Sequence, residues 1–221
     1  MSILFVLLTF LLIISVNYLW FRPQPAVPAN THPAIRPPMP VMTRRAGFTI
    51  PQNYGFHPGH TWVVREGHDD ARVGFDLFTA ELVGKIDRLE VAKPQRWVRQ
   101  GQKLMTLYGD GFSFDLVSPI EGVISHLNEK VLNDPSIAQR DPYGDGWIAT
   151  LRAPDLNTNE RNLMQASMVA PWMHYNQQRL SAEIAQLNPA LAQDGGIPVP
   201  GLLQRVSPEM RQRIISEFFL N

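Results

Sequence analysis

Histidines and aspartates are the side chains of this sequence that could bind a metal or move a proton, and their spacing argues against both. No two of the six histidines have the i, i+4 spacing that places a pair of imidazoles on one helix face. They are His32, His57, His60, His68, His126 and His174. Asp69 and Asp70 follow His68 in a predicted turn, where carboxylates are more often solvated than bound to a metal.

Other kinds of reactive site are also missing from the pattern. Asp134, Asp141 and Asp145 occupy turn positions, where a carboxylate usually accepts from nearby backbone amides. They lack the alternate spacing and closing glutamate of a calcium loop. Residues 109–111 (Gly-Asp-Gly) are too short for a phosphate loop. Cysteine is absent, which excludes disulfides, thiolate metal sites and cysteine nucleophiles. We therefore expect no enzyme, no metal and no cofactor.

Composition narrows the partner classes. The chain has 221 residues, enough for one domain with appendages or for two small domains. Its 20 basic and 20 acidic residues cancel, whereas nucleic-acid-binding proteins usually carry a basic excess. The sequence therefore predicts no nucleic-acid partner.

A long apolar run begins the sequence. Residues 3–21 contain no charge, and as a helix they would rise roughly 28 Å, close to the thickness of the bilayer's hydrocarbon core. Tyr18, Trp20, Phe21 and Arg22 then form the membrane interface. The alternative is a cleaved signal peptide ending near Ala29. No Lys or Arg precedes the run, and it is longer than a usual signal-peptide core, so residues 1–22 are predicted to be a retained single-pass anchor.

Basic residues set the expected orientation. Arg22, Arg36, Arg44 and Arg45 all follow the apolar run, which places the bulk of the chain in the cytoplasm, at the inner (cytoplasmic) membrane. Residues 23–58 are rich in proline and contain no acidic residue, so no helix or central strand is expected there. The segment is either a semi-rigid spacer or an extended arm in which Arg36, Arg44 and Arg45 dock on a partner.

Short strands separated by turn residues dominate the middle of the chain. They are predicted at residues 61–65, 71–75, 84–91, 102–108, 114–117, 122–127 and 147–151, with a helical turn at 78–83. This spacing indicates a mainly β fold, a small sandwich or flattened barrel, over residues 59–175.

Several motifs in this region resemble one family. They are His60-Thr61-Trp62, Ser118-Pro119-Ile120-Glu121-Gly122-Val123-Ile124, Asn128-Glu129, Asp134-Pro135 and Asp141-Pro142-Tyr143-Gly144-Asp145-Gly146-Trp147. Their order and spacing resemble the opening strand pair, proline–glycine turn, asparagine-led loop and DPYGxGW segment of the glycine cleavage system H protein. The resemblance covers about residues 56–175 and implies a lipoyl-domain-like β-sandwich.

The same resemblance exposes a departure. In that family lipoate is attached to a lysine at the tip of a hairpin, and counting back from Ser118-Pro119 puts the lysine's place at or beside Gly111. No lysine lies between Lys103 and Lys130. Without an amine at the tip there is nothing for lipoate to acylate, so the carrier function is expected to be lost.

Residues 176–221 are predicted to be a helical C-terminal extension. A helix-permissive stretch over residues 159–187 is interrupted by Pro171, and Ser207 with Pro208 marks a later helix start. In that last helix Met210, Ile214 and Phe218 form one apolar stripe. The stripe is predicted to dock on a partner, and packing on its own domain is the alternative.

Together these features predict a non-catalytic structural or assembly subunit of a larger membrane complex, such as a bioenergetic or photosynthetic one. It would present an H-protein-like domain on the cytoplasmic face, with the membrane and other subunits as partners. One alternative is a lipoyl-type carrier, modified at Lys103 or Lys130, that works with a membrane-bound oxidoreductase. Another is a periplasmic binding module with a signal peptide.

Overall fold

The computed structural model describes residue 11 and residues 42–45, 48–187 and 200–219. Within them the strands are β1 (Met42–Arg45), β2 (Phe48–Pro51), β3 (Tyr54–His57), β4 (Thr61–Arg65), β5 (Asp70–Phe75), β6 (Arg88–Val91), β7 (Trp97–Val98), β8 (Lys103–Gly109), β9 (Phe112–Val117), β10 (Gly122–Leu127) and β11 (Ala149–Arg152). The helices are α1 (Leu77–Val83), α2 (Glu129–Asn133), α3 (Ser136–Arg140), α4 (Leu156–Glu160), α5 (Ala166–Leu187), α6 (Leu202–Arg205) and α7 (Pro208–Phe218).

Two antiparallel sheets form the main body, as expected for a mainly β fold. The larger sheet has the order β3-β4-β5-β11-β10-β7, and the smaller one has the order β6-β8-β9. Val73 and Ile124 from the first sheet and Leu107 and Leu116 from the second share one buried apolar cluster. The strands at residues 61–65 and 122–127 have the predicted bounds.

The described part of the proline-rich segment forms strands that suit its prolines. β1 and β2 pair as a separate two-stranded sheet, in which Pro51 is the last residue of β2, and β3 is an edge strand of the larger sheet. Ile50 of β2 is buried with Tyr54 and Phe56 of β3 in a second apolar cluster around Trp62. This end of the predicted arm therefore packs on its own domain.

The long helix α5 corrects the prediction that Pro171 interrupts it. The helix runs from Ala166 to Leu187 with Pro171 inside. The missing N–H of Pro171 deprives only the carbonyl of Ser167, which lies exposed in the first turn, where water satisfies it. The predicted boundary between residues 175 and 176 also falls inside α5, so the extension continues an element of the domain.

Helix α7 begins as predicted, because the Ser207 side chain accepts from the Met210 N–H at 3.3 Å and Pro208 occupies its first turn. Met210, Ile214 and Phe218 are buried in the core of their own domain, the alternative considered for them. Burial of this stripe against the domain's apolar side chains removes it from water without any partner.

Several predicted membrane and docking residues fall outside the described chain. They are Tyr18, Trp20, Phe21, Arg22 and Arg36. Arg44 and Arg45 lie on β1. Over the residues that the structure describes, no helix combines the length and the apolar character needed to cross a bilayer.

Candidate functional site

The hairpin β8–β9 carries the position where the resemblance places the lipoyl-lysine. Gly109 pairs with Phe112, so Asp110 and Gly111 alone form the connecting loop. Gly111 has a φ of 73°, in the left-handed region that glycine adopts without strain. The tip thus presents a short carboxylate and a glycine, and it presents no amine.

Neither flanking lysine reaches the tip. Lys103 starts β8 opposite Val117, at the base of the hairpin, and its Nζ lies 2.8 Å from Oδ1 of Asp115. The hydrogen bond that the Lys103 ammonium donates to Asp115 raises the pKa of Lys103. Lys130 is exposed on α2, outside the hairpin.

An arginine from helix α7 contacts the tip instead. The Arg211 guanidinium donates to the carbonyl of Gly111 at 3.4 Å and lies 5.0 Å from the ring centroid of Phe112. Its Nε donates to the carbonyl of Leu203 at 2.6 Å, which fixes the side chain. Arg211 therefore joins the hairpin tip to the C-terminal helices.

Aromatic packing extends this contact along one face of the hairpin. The rings of Phe112 and Phe114 are stacked with centroids 6.4 Å apart, and Phe114 lies 4.3 Å from Phe219. Phe219, directly after α7, is fully buried. The segment after residue 200 therefore covers this face.

The buried pair His60–Asp76 lies next to that segment. Nδ1 of His60 is 2.7 Å from Oδ2 of Asp76, and both side chains are inaccessible to solvent. The imidazole is stacked between Phe78 and Trp172, with centroids at 4.4 and 4.7 Å, and Phe219 meets it edge-on at 5.6 Å.

The Asp76 carboxylate also caps a helix, which explains its burial. Its Oδ1 accepts hydrogen bonds from the backbone N–H and the hydroxyl of Thr79. Asp76 thereby caps the N-terminus of helix α1. Asn176 of α5 lies 3.4 Å from Nε2 of His60, and aromatic rings stack on the imidazole, so the pair holds β4, α1 and α5 together. The sequence singled out His60 only as the start of a strand.

The DPYGDGW segment is also structural. The Tyr143 hydroxyl accepts from the Leu77 N–H at 3.1 Å, and the Tyr143 carbonyl accepts from the Tyr54 hydroxyl at 2.7 Å. Burial raises the pKa of Tyr54 to about 12 and that of Tyr143 well above its usual value. The two phenols therefore remain neutral hydrogen-bonding groups.

The aspartates of this segment behave as the turn positions predict. Asp141 accepts from the N–H groups of Gly144 and Asp145, at 3.0 and 2.8 Å. Asp134 accepts from the Ser136 N–H at 3.2 Å. Over the described residues no group of three or more metal-ligating side chains comes together.

Two open grooves of about 450 Å³ each lie away from the hairpin tip. One lies between α1, α3 and α6 and is lined by Glu81, Lys85, Arg140 and Arg205. Burial, and then the Asp76 carboxylate, raises the pKa of Glu81. The other groove includes Asn128 and Trp147.

Comparison with known proteins assigns the central part of the chain. The sequence model described as glycine cleavage H-protein matches residues 55–175. The chain belongs to the glycine cleavage H-protein family. A glycine cleavage system H protein from Bifidobacterium longum is 29% identical over 121 residues, which cover 55% of this chain and 85% of that protein. A probable glycine cleavage system H protein from Sulfolobus acidocaldarius is 32% identical over 114 residues, covering 50% and 76%.

A solved structure shows the same fold. The crystal structure of an H protein from Mycobacterium marinum has a TM-score of 0.50 and 23% identity, and the match covers 57% of this chain and 99% of that one. The H-protein region ends at residue 175. Arg211 and Phe219, which cover the hairpin, thus come from outside the family's part of the chain. No pattern in the sequence singled out Arg211.

Proposed function

We propose that this chain is a non-catalytic structural or assembly subunit of a larger membrane complex, and that its H-protein domain carries no lipoate. The hairpin tip carries the proposal: the resemblance places the lipoyl-lysine at or beside Gly111, and the tip offers only Asp110 and Gly111. Acylation needs an amine, so the lipoyl group does not fit the residues present. We place the domain on the cytoplasmic face, held by the apolar segment at residues 3–21.

The contacts of the tip favour a structural role over a carrier role. A carrier arm must leave its domain to reach successive partners, whereas here Arg211 ties the tip to α7 and Phe219 covers the adjacent face. The hairpin is used as a packing surface. Fold alone does not assign an activity once the reactive residue is missing.

The carrier alternative would need Lys103 or Lys130. Lys103 is paired with Asp115 at the far end of the hairpin from the tip, and Lys130 lies on another element. Neither is presented as a swinging arm requires.

The first test is intact mass after co-expression of the full chain with a lipoate–protein ligase and lipoate. An H protein that carries its lysine is the positive control in the same cells. We expect this chain to keep its unmodified mass while the control gains a lipoyl group. A lipoyl gain on this chain, abolished by Lys103→Arg or Lys130→Arg, would refute the proposal and support the carrier.

The second test addresses the complex. Membranes are solubilised gently and separated by native electrophoresis, and the band containing this chain is analysed by mass spectrometry. We expect co-migration with other subunits at fixed stoichiometry. Migration as a lone 25.0 kDa chain would contradict the subunit role.

A further inference from the structure

The segment between β6 and β8 exposes a group of cations around a tryptophan. We name residues 92–100 the basic–tryptophan loop. Lys93, Arg96 and Arg99 are exposed at three-residue intervals, and Trp97 of the edge strand β7 is 46% exposed.

The three cations are left without carboxylate partners. In the part of the chain that the structure describes, none of them forms an ion pair, although Arg65, Lys103 and others do. Glu121, beside the Gly122 that pairs with Val98, is half-buried and forms no ion pair with them either. Because the whole chain is electrically balanced, this positive charge is a local feature and not part of a general excess.

The loop is held firmly without using those charges. The Gln95 N–H donates to the Ile124 carbonyl at 2.8 Å, and the Ile124 N–H donates to the Arg96 carbonyl at 3.0 Å. The Gln100 side chain donates to the Pro119 carbonyl at 2.8 Å. The cationic groups are therefore presented from a fixed backbone and remain available to a partner.

We propose that the basic–tryptophan loop contacts an anionic bilayer surface, with Trp97 at the headgroup level and Lys93, Arg96 and Arg99 on lipid phosphates or carboxylates. This inference deepens the proposed function, since it states which face of the domain meets the membrane that the apolar segment supplies. Tryptophan favours the membrane–water interface, and clustered Lys and Arg are attracted to anionic lipid.

The size of the patch favours a lipid surface over an acidic protein. A stable protein interface buries about 800 Å² on each partner around an apolar core, and this loop offers a single large apolar side chain. A tethered domain needs only weak contacts, because the tether keeps its local concentration at the surface high. Each cation near an anionic surface contributes about fivefold to the contact, so the three together amount to roughly 100-fold.

The experiment uses the full chain in lipid nanodiscs and exploits the absence of cysteine. Gln95→Cys keeps the N–H that donates to Ile124, and it is labelled with a fluorophore that quencher-labelled lipids can reach. Gln212→Cys, exposed on α7, is the matched label on another element. Discs contain phosphatidylcholine alone or with roughly one third phosphatidylserine.

We expect strong quenching at position 95 in anionic discs, weak quenching in neutral discs, and no lipid dependence at position 212. The Lys93→Glu, Arg96→Glu, Arg99→Glu variant should lose the lipid dependence, as should raising salt from about 0.1 M to about 1 M. A thermal melt checks that this variant is folded. Trp97→Ser should also reduce the quenching at position 95 in anionic discs.

Two results would overturn the proposal: equal quenching at position 95 in both discs, or anionic-disc quenching that survives charge reversal. Crosslinking of position 95 to an acidic subunit in native membranes, without lipid quenching, would assign the loop to a protein partner instead. If the chain fails to enter discs, the anchor is refuted independently. Flotation of the same variants with vesicles of the two compositions then tests the loop, and flotation independent of anionic lipid refutes it.

Discussion

The loop that follows Asn128 and the tip of the β8–β9 hairpin differ in what their side chains do for the backbone. Asn128 is buried and donates to the carbonyls of Asp145 and Trp147 at 2.9 and 2.8 Å. At the tip, Gly111 adopts the positive φ that the exposed turn requires. At Asn128 a side chain satisfies buried backbone groups, whereas at Asp110 and Gly111 no buried backbone group depends on the tip's own side chains. Folding constrains the first kind of position and leaves the second free.

The largest expected effect comes from removing the buried amide. Asn128→Ala leaves two backbone carbonyls without their donor, and unsatisfied buried groups cost about 1–3 kcal/mol each. We expect the free energy of unfolding to fall by about 3 kcal/mol, measured by urea denaturation. Asn133→Ala, an exposed asparagine at the end of α2, is the control and should change it by less than about 0.5 kcal/mol. Equal losses of stability in the two variants would contradict the structural role given to the Asn128 amide.

The second prediction concerns alkaline pH and the same loop. The pKa of Tyr54 is about 12 in the folded chain and about 10 when unfolded. The folded state therefore holds more protons across this window, so the stability that Tyr54 contributes is complete below pH 10 and is lost as pH rises toward 12. Urea unfolding at several pH values should show this fall, and Tyr54→Phe should lessen it. Tyr175→Phe, an exposed tyrosine, should leave the slope unchanged; a slope unaffected by Tyr54→Phe would contradict the assignment.

The smallest effect is expected at the tip. Gly111→Ala places a side chain at positive φ, which costs about 1 kcal/mol, while the added Cβ meets only the Arg211 side chain at 3.6 Å. Asp110→Ala should change the free energy of unfolding by less than about 0.5 kcal/mol. A loss of several kcal/mol at Asp110, in the same urea assay, would show that the tip is as constrained as the Asn128 loop.

Local patterns predicted the strands well and the tertiary partners poorly. Residues 61–65 and 122–127 contain β-branched residues and are bounded by turn-forming residues, and both strands have the predicted bounds. Strand β7 has two residues and exists because Val98 and Trp97 pair with Gly122 and Val123, a register that no local pattern encodes. The single-turn helices α2 and α3 were missed because their stability comes from packing.

The candidate site shows the same contrast between local patterns and tertiary partners. Counting back from Ser118-Pro119 located the hairpin tip, because the tip lies only a few residues away along the chain. The partners of the tip come from Arg211 and Phe219, about a hundred residues further along the chain. The stripe of α7 showed that one face is apolar but not what covers it, and the structure covers it with the chain's own core.

The contacts of Phe218 and Phe219 join residues that are made at different times during synthesis. Phe78 and Phe114 are synthesised about a hundred residues or more before Phe218 and Phe219, so their rings lack these neighbours until α7 is made. Domains usually fold as units while synthesis proceeds, and exposed apolar surface in that interval favours aggregation. We therefore expect the nascent chain to expose aromatic surface until α7 is made, and to be most prone to aggregation during that interval.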